Sequence, residues 1–289
     1  MNSVAVVTDS TATLPPELVE RHGILVVPLY VVFGGDRPVP ETEITDYPAF
    51  FEELRTAEKL PTTSQPSVGD FNAVFEPLLA EGHEIVSVHI SGGLSGTPEA
   101  ARQAKANLER DGGGGERIEV VDSTTAAGGL GFMALAAAHA AASGASPSEV
   151  VERVAEARQE LKMWFAVDTL EFLKRGGRIG AASAWIGSTL RVKPILTVEN
   201  EMVPVERVRT SSRAFERLLE YARQRHESGA DAWSAQHINA PDQCARLVER
   251  GTEVFGRPPT LVSEIGPVLA AHTGPGLLGI GALPSRFVE

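Results

Sequence analysis

Short apolar runs alternate with longer amphipathic runs over the first 165 residues of the chain. Each apolar run fits a buried strand and each longer run fits a covering helix, which is typical of a parallel sheet with helices on both faces. The predicted strands are residues 4–8, 24–32, 84–90, 117–122 and 163–168. The pattern therefore predicts an α/β fold that begins with a doubly wound, largely parallel sheet.

The pattern changes after about residue 168. Helices are predicted at 181–192, 211–228 and 241–255, separated by shorter strands at 194–198, 202–208, 232–238 and 260–265. Residues 199–201 (Glu-Asn-Glu) lie between two β-like runs and predict a hairpin, which implies antiparallel pairing. We therefore predict two domains, a Rossmann-like one at 1–168 and an α/β one with a mixed or antiparallel sheet at 169–289. A ligand is expected in the cleft between them.

The amino-acid composition disfavours several classes of function. The 289 residues contain 26 Lys and Arg against 38 Asp and Glu, and a net charge of −12 disfavours nucleic acids and anionic lipid surfaces. A single cysteine, Cys244, excludes an internal disulfide and a thiolate metal cage, and it suits a reducing cytosol. We expect no metal and no cofactor.

Residues 126–145 form a mostly apolar stretch, but alanine and glycine dominate it and His139 lies inside it. Alanine supplies little transfer energy into a bilayer, so the stretch predicts a buried helix packed closely on a sheet. The N-terminus runs directly into a strand-like segment without a basic leader. These features predict a cytoplasmic protein.

Five polar segments carry the candidate chemistry. They are TTSQPS at 62–67, SGGLSGT at 91–97, KRGGRIG at 174–180, VRT at 208–210 and AHTGPG at 271–276. Together they offer hydroxyls, glycines, arginines and one histidine, but no carboxylate. Such a set donates hydrogen bonds and positive charge to an anion, and it lacks the acids that metal chemistry or general-base hydrolysis usually needs. The segments therefore predict a pocket for a carboxylate-headed ligand.

Two of the segments are expected at positions that favour anions. TTSQPS is predicted as a loop before a helix that begins at Ser67, where backbone N–H groups are unpaired. SGGLSGT follows the apolar run 85–90, at the carboxyl end of a predicted strand, where open α/β sheets bind their ligands. Turn formation and helix capping also explain these residue types without any binding function.

Two other motifs suggest functions other than carboxylate binding. Residues 93–97 nearly match the nucleophile elbow G-x-S-x-G, but Thr97 replaces the last glycine. A serine hydrolase would use Ser95 as nucleophile, His272 as base, and Asp122 or Asp168 to orient the histidine. The sequence GPGLLG at 274–279 fits the dinucleotide pattern, but too few residues follow it to supply the rest of that motif. A binding module for another small anion, such as a sugar phosphate, is a third possibility.

Taken together and in this order, TDST at 8–11 and the five segments resemble the bacterial DegV family. Members of this family bind fatty acids and serve as acyl carriers for fatty acid kinase. The resemblance spans nearly the whole chain and implies a fatty acid lying in a tunnel between two α/β domains. It implies no catalysis by this chain, because a separate ATP-dependent kinase would phosphorylate the bound carboxylate to an acyl phosphate for phospholipid synthesis. Transient membrane contact for lipid exchange is a further expectation.

The resemblance also implies residue roles. The carboxyl group would be held by Thr63 of TSQP and Ser95 of LSGT, with His272, Thr62 and Gly96 nearby. By motif, Arg178 of GGRI and Arg209 of VRT would contact the phosphate or face the kinase. Two positions depart from the family pattern. Gly92 stands where many relatives have a serine, and Pro98 stands where an aromatic residue often follows Thr97.

Overall fold

The computed structural model describes residues 3–34, 37–186 and 192–289. Its strands are β1 (Val4–Asp9), β2 (Leu25–Val27), β3 (Tyr30–Val32), β4 (Val39–Pro40), β5 (Thr62–Ser64), β6 (Glu84–His89), β7 (Ile118–Asp122), β8 (Lys162–Ala166), β9 (Lys193–Glu199), β10 (Glu201–Val208), β11 (Ala232–His237), β12 (Leu261–Glu264) and β13 (Leu278–Leu283). Its α-helices are α1 (Pro16–His22), α2 (Tyr47–Thr56), α3 (Val68–Ala80), α4 (Thr97–Arg110), α5 (Gly128–Ala142), α6 (Pro147–Glu160), α7 (Glu171–Arg175), α8 (Ser211–Glu227), α9 (Pro241–Phe255) and α10 (Pro267–Thr273).

The N-terminal sheet is parallel throughout, with strand order β2-β1-β6-β7. The predicted parallel sheet is thus confirmed, but the single strand predicted at 24–32 is wrong. It divides at Pro28, which has no N–H to donate to a ladder, so β2 stays in the parallel sheet while β3 leaves it. β3 pairs antiparallel with β4 and β5 in a small separate sheet. Residues 62–64 of the predicted TTSQPS loop are therefore a strand.

The C-terminal sheet has the order β10-β9-β8-β13-β11-β12 and is mixed, because only β11 and β12 run parallel. The hairpin at 199–201 is confirmed, and Asn200 adopts the left-handed conformation (φ 69°) that asparagine tolerates. The predicted strand at 163–168 pairs antiparallel with β9 and β13 rather than in the first sheet. Because β8 belongs to the second sheet, the change from the first domain to the second is favoured before Lys162. The boundary predicted at residue 168 stays a prediction.

Two further predictions were wrong or incomplete. The helix predicted at 181–192 is a 3-10 turn at Gly180–Trp185, and residues 187–191 lie outside the described residues. The glycine-rich segment that mimics a dinucleotide motif leads into β13, an interior strand that the sequence pattern had not predicted.

Helix α5 confirms the prediction of a buried alanine and glycine helix, because twelve of its fifteen residues are buried. Its small residues permit close approach on two sides. A Cβ added at Gly131 would lie 2.9 Å from the Ala12 carbonyl oxygen, and one at Gly129 would lie 2.8 Å from the Met163 sulfur. Helix α5 thus packs between the two large sheets, and one apolar cluster contains residues of both. Across the described ranges no helix combines the length and hydropathy that crossing a bilayer requires.

Candidate functional site

A polar cavity opens where β5, the loop after β6 and α10 meet, and it contains about 790 Å³ of empty space including its mouth. Four of the five polar segments that the sequence singled out meet there. The residues of those segments that line it are Thr63, Ser64, Gln65, Leu94, Ser95, Gly96, Arg178, His272 and Thr273. We call this space the polar cavity.

Thr63 and His272 form the direct link between two of these segments. The Oγ1 of Thr63 lies 2.7 Å from Nε2 of His272, although the residues are 209 positions apart in the sequence. Nδ1 of the ring is buried, with no hydrogen-bond partner among the described residues. A Cβ at Gly176 would overlap this nitrogen, so the glycine of KRGGRIG lets the backbone pack against the imidazole. Three of the segments are thus tied together around one ring.

The charge state of His272 follows from its surroundings. Burial, and secondly the nearby Arg178 charge, lower the pKa of His272 to about 4, so the ring is neutral near pH 7. Buried N–H groups without a partner are rarer than unpaired acceptors, which favours the tautomer with its proton on Nε2. In that tautomer Nε2 donates to Thr63, and the Thr63 hydroxyl hydrogen is free to point at an anion in the cavity.

Ser95 lies where the loop after β6 enters α4. Its Oγ lies 2.8 Å from Oγ1 of Thr97 and accepts a hydrogen bond from the Thr97 backbone N–H at 3.3 Å. Gly96 occupies the N-cap position of α4, so the positive end of the helix dipole faces the polar cavity. A Cβ at Gly96 would lie 2.8 Å from Cδ of Gln65. The TTSQPS segment therefore approaches too closely to leave room for a side chain at position 96.

Arg178 is an exposed residue at the rim of the polar cavity. Its Nε donates to the Leu94 carbonyl at 3.2 Å, and a terminal nitrogen donates to the Gly176 carbonyl at 2.8 Å. These bonds hold the guanidinium beside the LSGT loop. An anion that reached the rim would therefore meet a fixed positive charge.

A second, apolar cavity adjoins the polar one and contains about 430 Å³ of empty space including its open part. Met202, Leu269 and Thr273 line both cavities. The remaining lining residues come from the start of α5 and from the C-terminal sheet and the segments that follow its strands: Ala126, Ala127, Met163, Phe165, Val198, Gln236, Ile265, Leu277 and Gly279. In the sequence, these residues are marked only by the alternation of apolar and polar positions along strands. Sequence reasoning therefore did not find this half of the site. The two cavities together offer one polar and one apolar compartment.

Two predicted site residues are not brought into the polar cavity. Thr62 is exposed and precedes Thr63 on β5, so strand alternation directs its side chain to the opposite face. Arg209 is exposed just beyond the end of β10 and does not line the cavity either. Their proposed contacts with a ligand or a kinase stay predictions.

The arrangement that a serine hydrolase needs is not assembled. The hydroxyl of Ser95 bonds to Thr97 and the ring of His272 bonds to Thr63, so nucleophile and base are not paired. Asp122 accepts hydrogen bonds from the backbone N–H groups of Gly92 and Thr124, while Asp168 pairs with Lys193. Neither carboxylate reaches the free nitrogen of His272.

A different Ser–His–Asp chain does exist, but it is sealed in the core. Asp9 Oδ2 lies 3.0 Å from Nδ1 of His89, whose Nε2 lies 2.6 Å from Oγ of Ser87. All three residues are fully buried, so no substrate reaches the serine. Asp9 also accepts from the Ile90 backbone N–H at 2.9 Å, and it therefore fixes the end of β6 from which the SGGLSGT loop departs.

Comparison with known proteins agrees with this geometry. A family model described as "Uncharacterised protein, DegV family" matches residues 3–285. A DegV domain-containing protein of Streptomyces coelicolor is 42% identical over 281 residues, which cover 96% of this chain and 97% of that relative.

Two solved structures share the fold. One, described as fatty acid binding of a DegV family protein from Thermus thermophilus, superposes with a TM-score of 0.86 at 38% identity, covering 98% of this chain and 99% of that one. The other, DegV, a fatty acid binding protein from Bacillus subtilis, has a TM-score of 0.86 at 34% identity, with 98% and 100% covered. The chain described here therefore belongs to the DegV family.

Proposed function

We propose that this protein binds a long-chain fatty acid and presents its carboxyl group to a separate fatty acid kinase. One observation carries the proposal: the polar cavity and the apolar cavity adjoin each other and share the lining residues Met202, Leu269 and Thr273. An amphiphile with one anionic end and one alkyl tail matches this pair of compartments. The Thermus thermophilus and Bacillus subtilis relatives, both described as binding fatty acids, support the same ligand class.

The tail supplies most of the affinity in this proposal. Burying about 15 methylenes at ~0.8 kcal/mol each contributes ~12 kcal/mol before the costs of association. Thr63 and Ser95 hold the carboxylate, and each hydrogen bond to the charged group contributes ~1.5–3 kcal/mol. The neutral His272 orients the Thr63 hydroxyl. The head group is therefore fixed in position by contacts that account for a smaller share of the binding energy.

Presentation to the kinase rests on the family resemblance and on the location of Arg178. Its exposed guanidinium at the cavity rim can offset the additional negative charge of an acyl phosphate. The protein itself carries no catalytic group in this proposal, and the kinase supplies ATP and the phosphoryl transfer, which implies a cytoplasmic setting. Arg209 and transient contact with a membrane belong to the same proposal.

The test is denaturing solvent extraction of the purified protein, followed by mass spectrometry of the released small molecules. Stoichiometric fatty acid is the expected result. An extract that stays empty after incubation with fatty acids would contradict the proposal. Release of a sugar phosphate or another anion without an alkyl chain would favour a different binding function. Incubation with a chromogenic ester provides a control, since turnover that depends on Ser95 would indicate hydrolysis instead.

A further inference from the structure

Two polar side chains, Gln236 and Thr273, are among the lining residues of the apolar cavity. Gln236 on β11 lines the apolar cavity and is only 3% exposed. The other polar lining residue, Thr273, satisfies its hydroxyl by donating to the Leu269 carbonyl. A buried amide in the wall of a largely apolar compartment calls for a physical reason.

Gln236 reaches from the apolar cavity into the wall of another space. This outer cavity lies beside β12 and the segment after β1, and Thr13 and Ser263 are among its lining residues. The Nε2 of Gln236 donates to Thr13 Oγ1 at 2.6 Å and to Ser263 Oγ at 2.7 Å. The side chain therefore stands between the two cavities, with its amide nitrogen bonded to residues of the outer one.

The amide oxygen of Gln236 is also held by a hydrogen bond. Oε1 of Gln236 accepts a hydrogen bond from the Gly128 backbone N–H at 2.5 Å, at the start of α5. A Cβ at Gly128 would lie 2.8 Å from Cδ of Gln236, so the glycine leaves the space that the amide fills. Three hydrogen bonds to three separate segments hold the side chain between the two cavities. Moving it aside would leave a buried donor and acceptor unpaired.

We propose that Gln236 is the end stop of the ligand tunnel and sets the longest acyl chain that the protein binds. The inference deepens the proposed function and rests on it. The order along the tunnel is the polar cavity, then Met202 and Leu269, then the apolar cavity, Gln236 and finally the outer cavity. The terminal methyl group of a bound fatty acid meets the Gln236 amide. A longer chain has to displace that amide or leave its head group out of place.

Removal of the stop joins the apolar cavity to the outer cavity, whose lining includes Leu14, Val19 and Val262. The apolar members of that wall can then cover additional methylenes. Each further methylene that becomes buried is expected to raise affinity about fourfold. Chains beyond the wild-type limit gain from the change, whereas chains shorter than the limit do not.

The experiment measures dissociation constants for saturated fatty acids of about 12 to about 22 carbons on delipidated protein. The variants are Gln236→Ala, which removes the amide and one methylene, and Gln236→Asn, which is shorter by one methylene and keeps an amide. Ser263→Ala is the matched control. It lies in the outer wall and leaves Gln236 bonded to Gly128 and Thr13.

In the wild type, affinity should rise with chain length and then fall at a definite limit. Gln236→Ala should move that limit to longer chains and raise the affinity of the first excluded length at least about tenfold, while shorter chains change little. Gln236→Asn should move the limit less, and Ser263→Ala should keep it. If Gln236→Ala does not fold, the Gln236→Asn profile decides the question.

An unchanged limit in folded Gln236 variants that still bind the shorter acids overturns the end-stop role and leaves the proposed function intact. A shift of the limit that Ser263→Ala reproduces fully also overturns it, because the Gln236 side chain would then not be the determinant. Wild-type protein that binds no acid of any length contradicts the proposed function itself.

Discussion

Replacing Gly93 with alanine tests how the SGGLSGT loop is held against the C-terminal sheet. Gly93 has no positive φ, so alanine fits its backbone conformation, and the cost arises only from the neighbours of the new methyl group. A Cβ at Gly93 would overlap the Asn200 carbonyl oxygen and lie 3.0 Å from the Asn200 carbonyl carbon. These are backbone atoms of the β9–β10 hairpin, which cannot rotate away as a flexible side chain could. The hairpin must therefore retreat, by ~1 Å in close-packed surroundings.

The retreat strains the hydrogen bonds that tie the hairpin to the N-terminal half. Ser91 Oγ donates to the Asn200 carbonyl at 2.5 Å and lies 3.1 Å from its side-chain oxygen, and the Asn200 N–H donates to the Thr124 carbonyl at 2.9 Å. Loss of two or three such bonds costs ~2–3 kcal/mol. Restriction of the unfolded chain by alanine offsets ~0.4–1 kcal/mol of this. We expect a net loss of ~2 kcal/mol in the free energy of unfolding.

The assay is urea unfolding of delipidated protein, with Gly69→Ala as the matched control. Gly69 also lacks a positive φ and lies in the first turn of α3, where the nearest atom to an added Cβ is Ser67 Oγ at 3.5 Å. That contact is ordinary, so Gly69→Ala should be neutral or stabilising by up to ~1 kcal/mol. Equal stabilities of the Gly93→Ala and Gly69→Ala variants would refute the argument from close approach. Fatty acid affinity should fall in Gly93→Ala, because the hairpin also positions Met202, which lines both cavities.

Burial raises the pKa of Glu41 to about 7, so the folded protein keeps a proton that the unfolded chain releases near its ordinary pKa of 4.5. The free energy of unfolding of the wild type should therefore decrease as the pH rises from about 4.5 to about 7. The difference in free energy of unfolding between Glu41→Gln and wild type should shift by ~3 kcal/mol in favour of the variant from about pH 4 to about pH 8, and parallel unfolding profiles would contradict this. Thr63→Val should weaken fatty acid binding roughly tenfold or more in a competition assay without unfolding the protein, and Thr62→Val, on the opposite face of β5, should have a smaller effect. Ser95→Ala should weaken head-group binding similarly without unfolding the protein, because Ser95 lies on a loop. An unfolded variant would contradict that expectation. Arg178→Ala should reduce acyl phosphate formation with a kinase more than it reduces fatty acid affinity, and equal losses would argue against separate roles.

Local physics explains which elements the sequence determined. The hairpin at 199–201 follows from two β-like runs around a residue that tolerates positive φ, and the buried α5 follows from alanine and glycine alone. Ser67 and Ser146 begin helices with capping boxes, which depend only on residues three positions apart. These features are readable because the groups that decide them are close in the chain.

Tertiary structure decided the pairing of strands and the shape of the site. β8 carries an apolar run that suits either sheet, and only its partners β9 and β13 place it in the second. The sequence motifs marked Thr63 and His272, but their contact joins residues 209 positions apart. Gln236 carries no motif at all, and its position between two cavities depends on bonds to Thr13, Gly128 and Ser263 from three distant segments. The sequence thus determined which polar residues could serve an anion, whereas close packing between the sheets decided where the apolar cavity runs and where it ends.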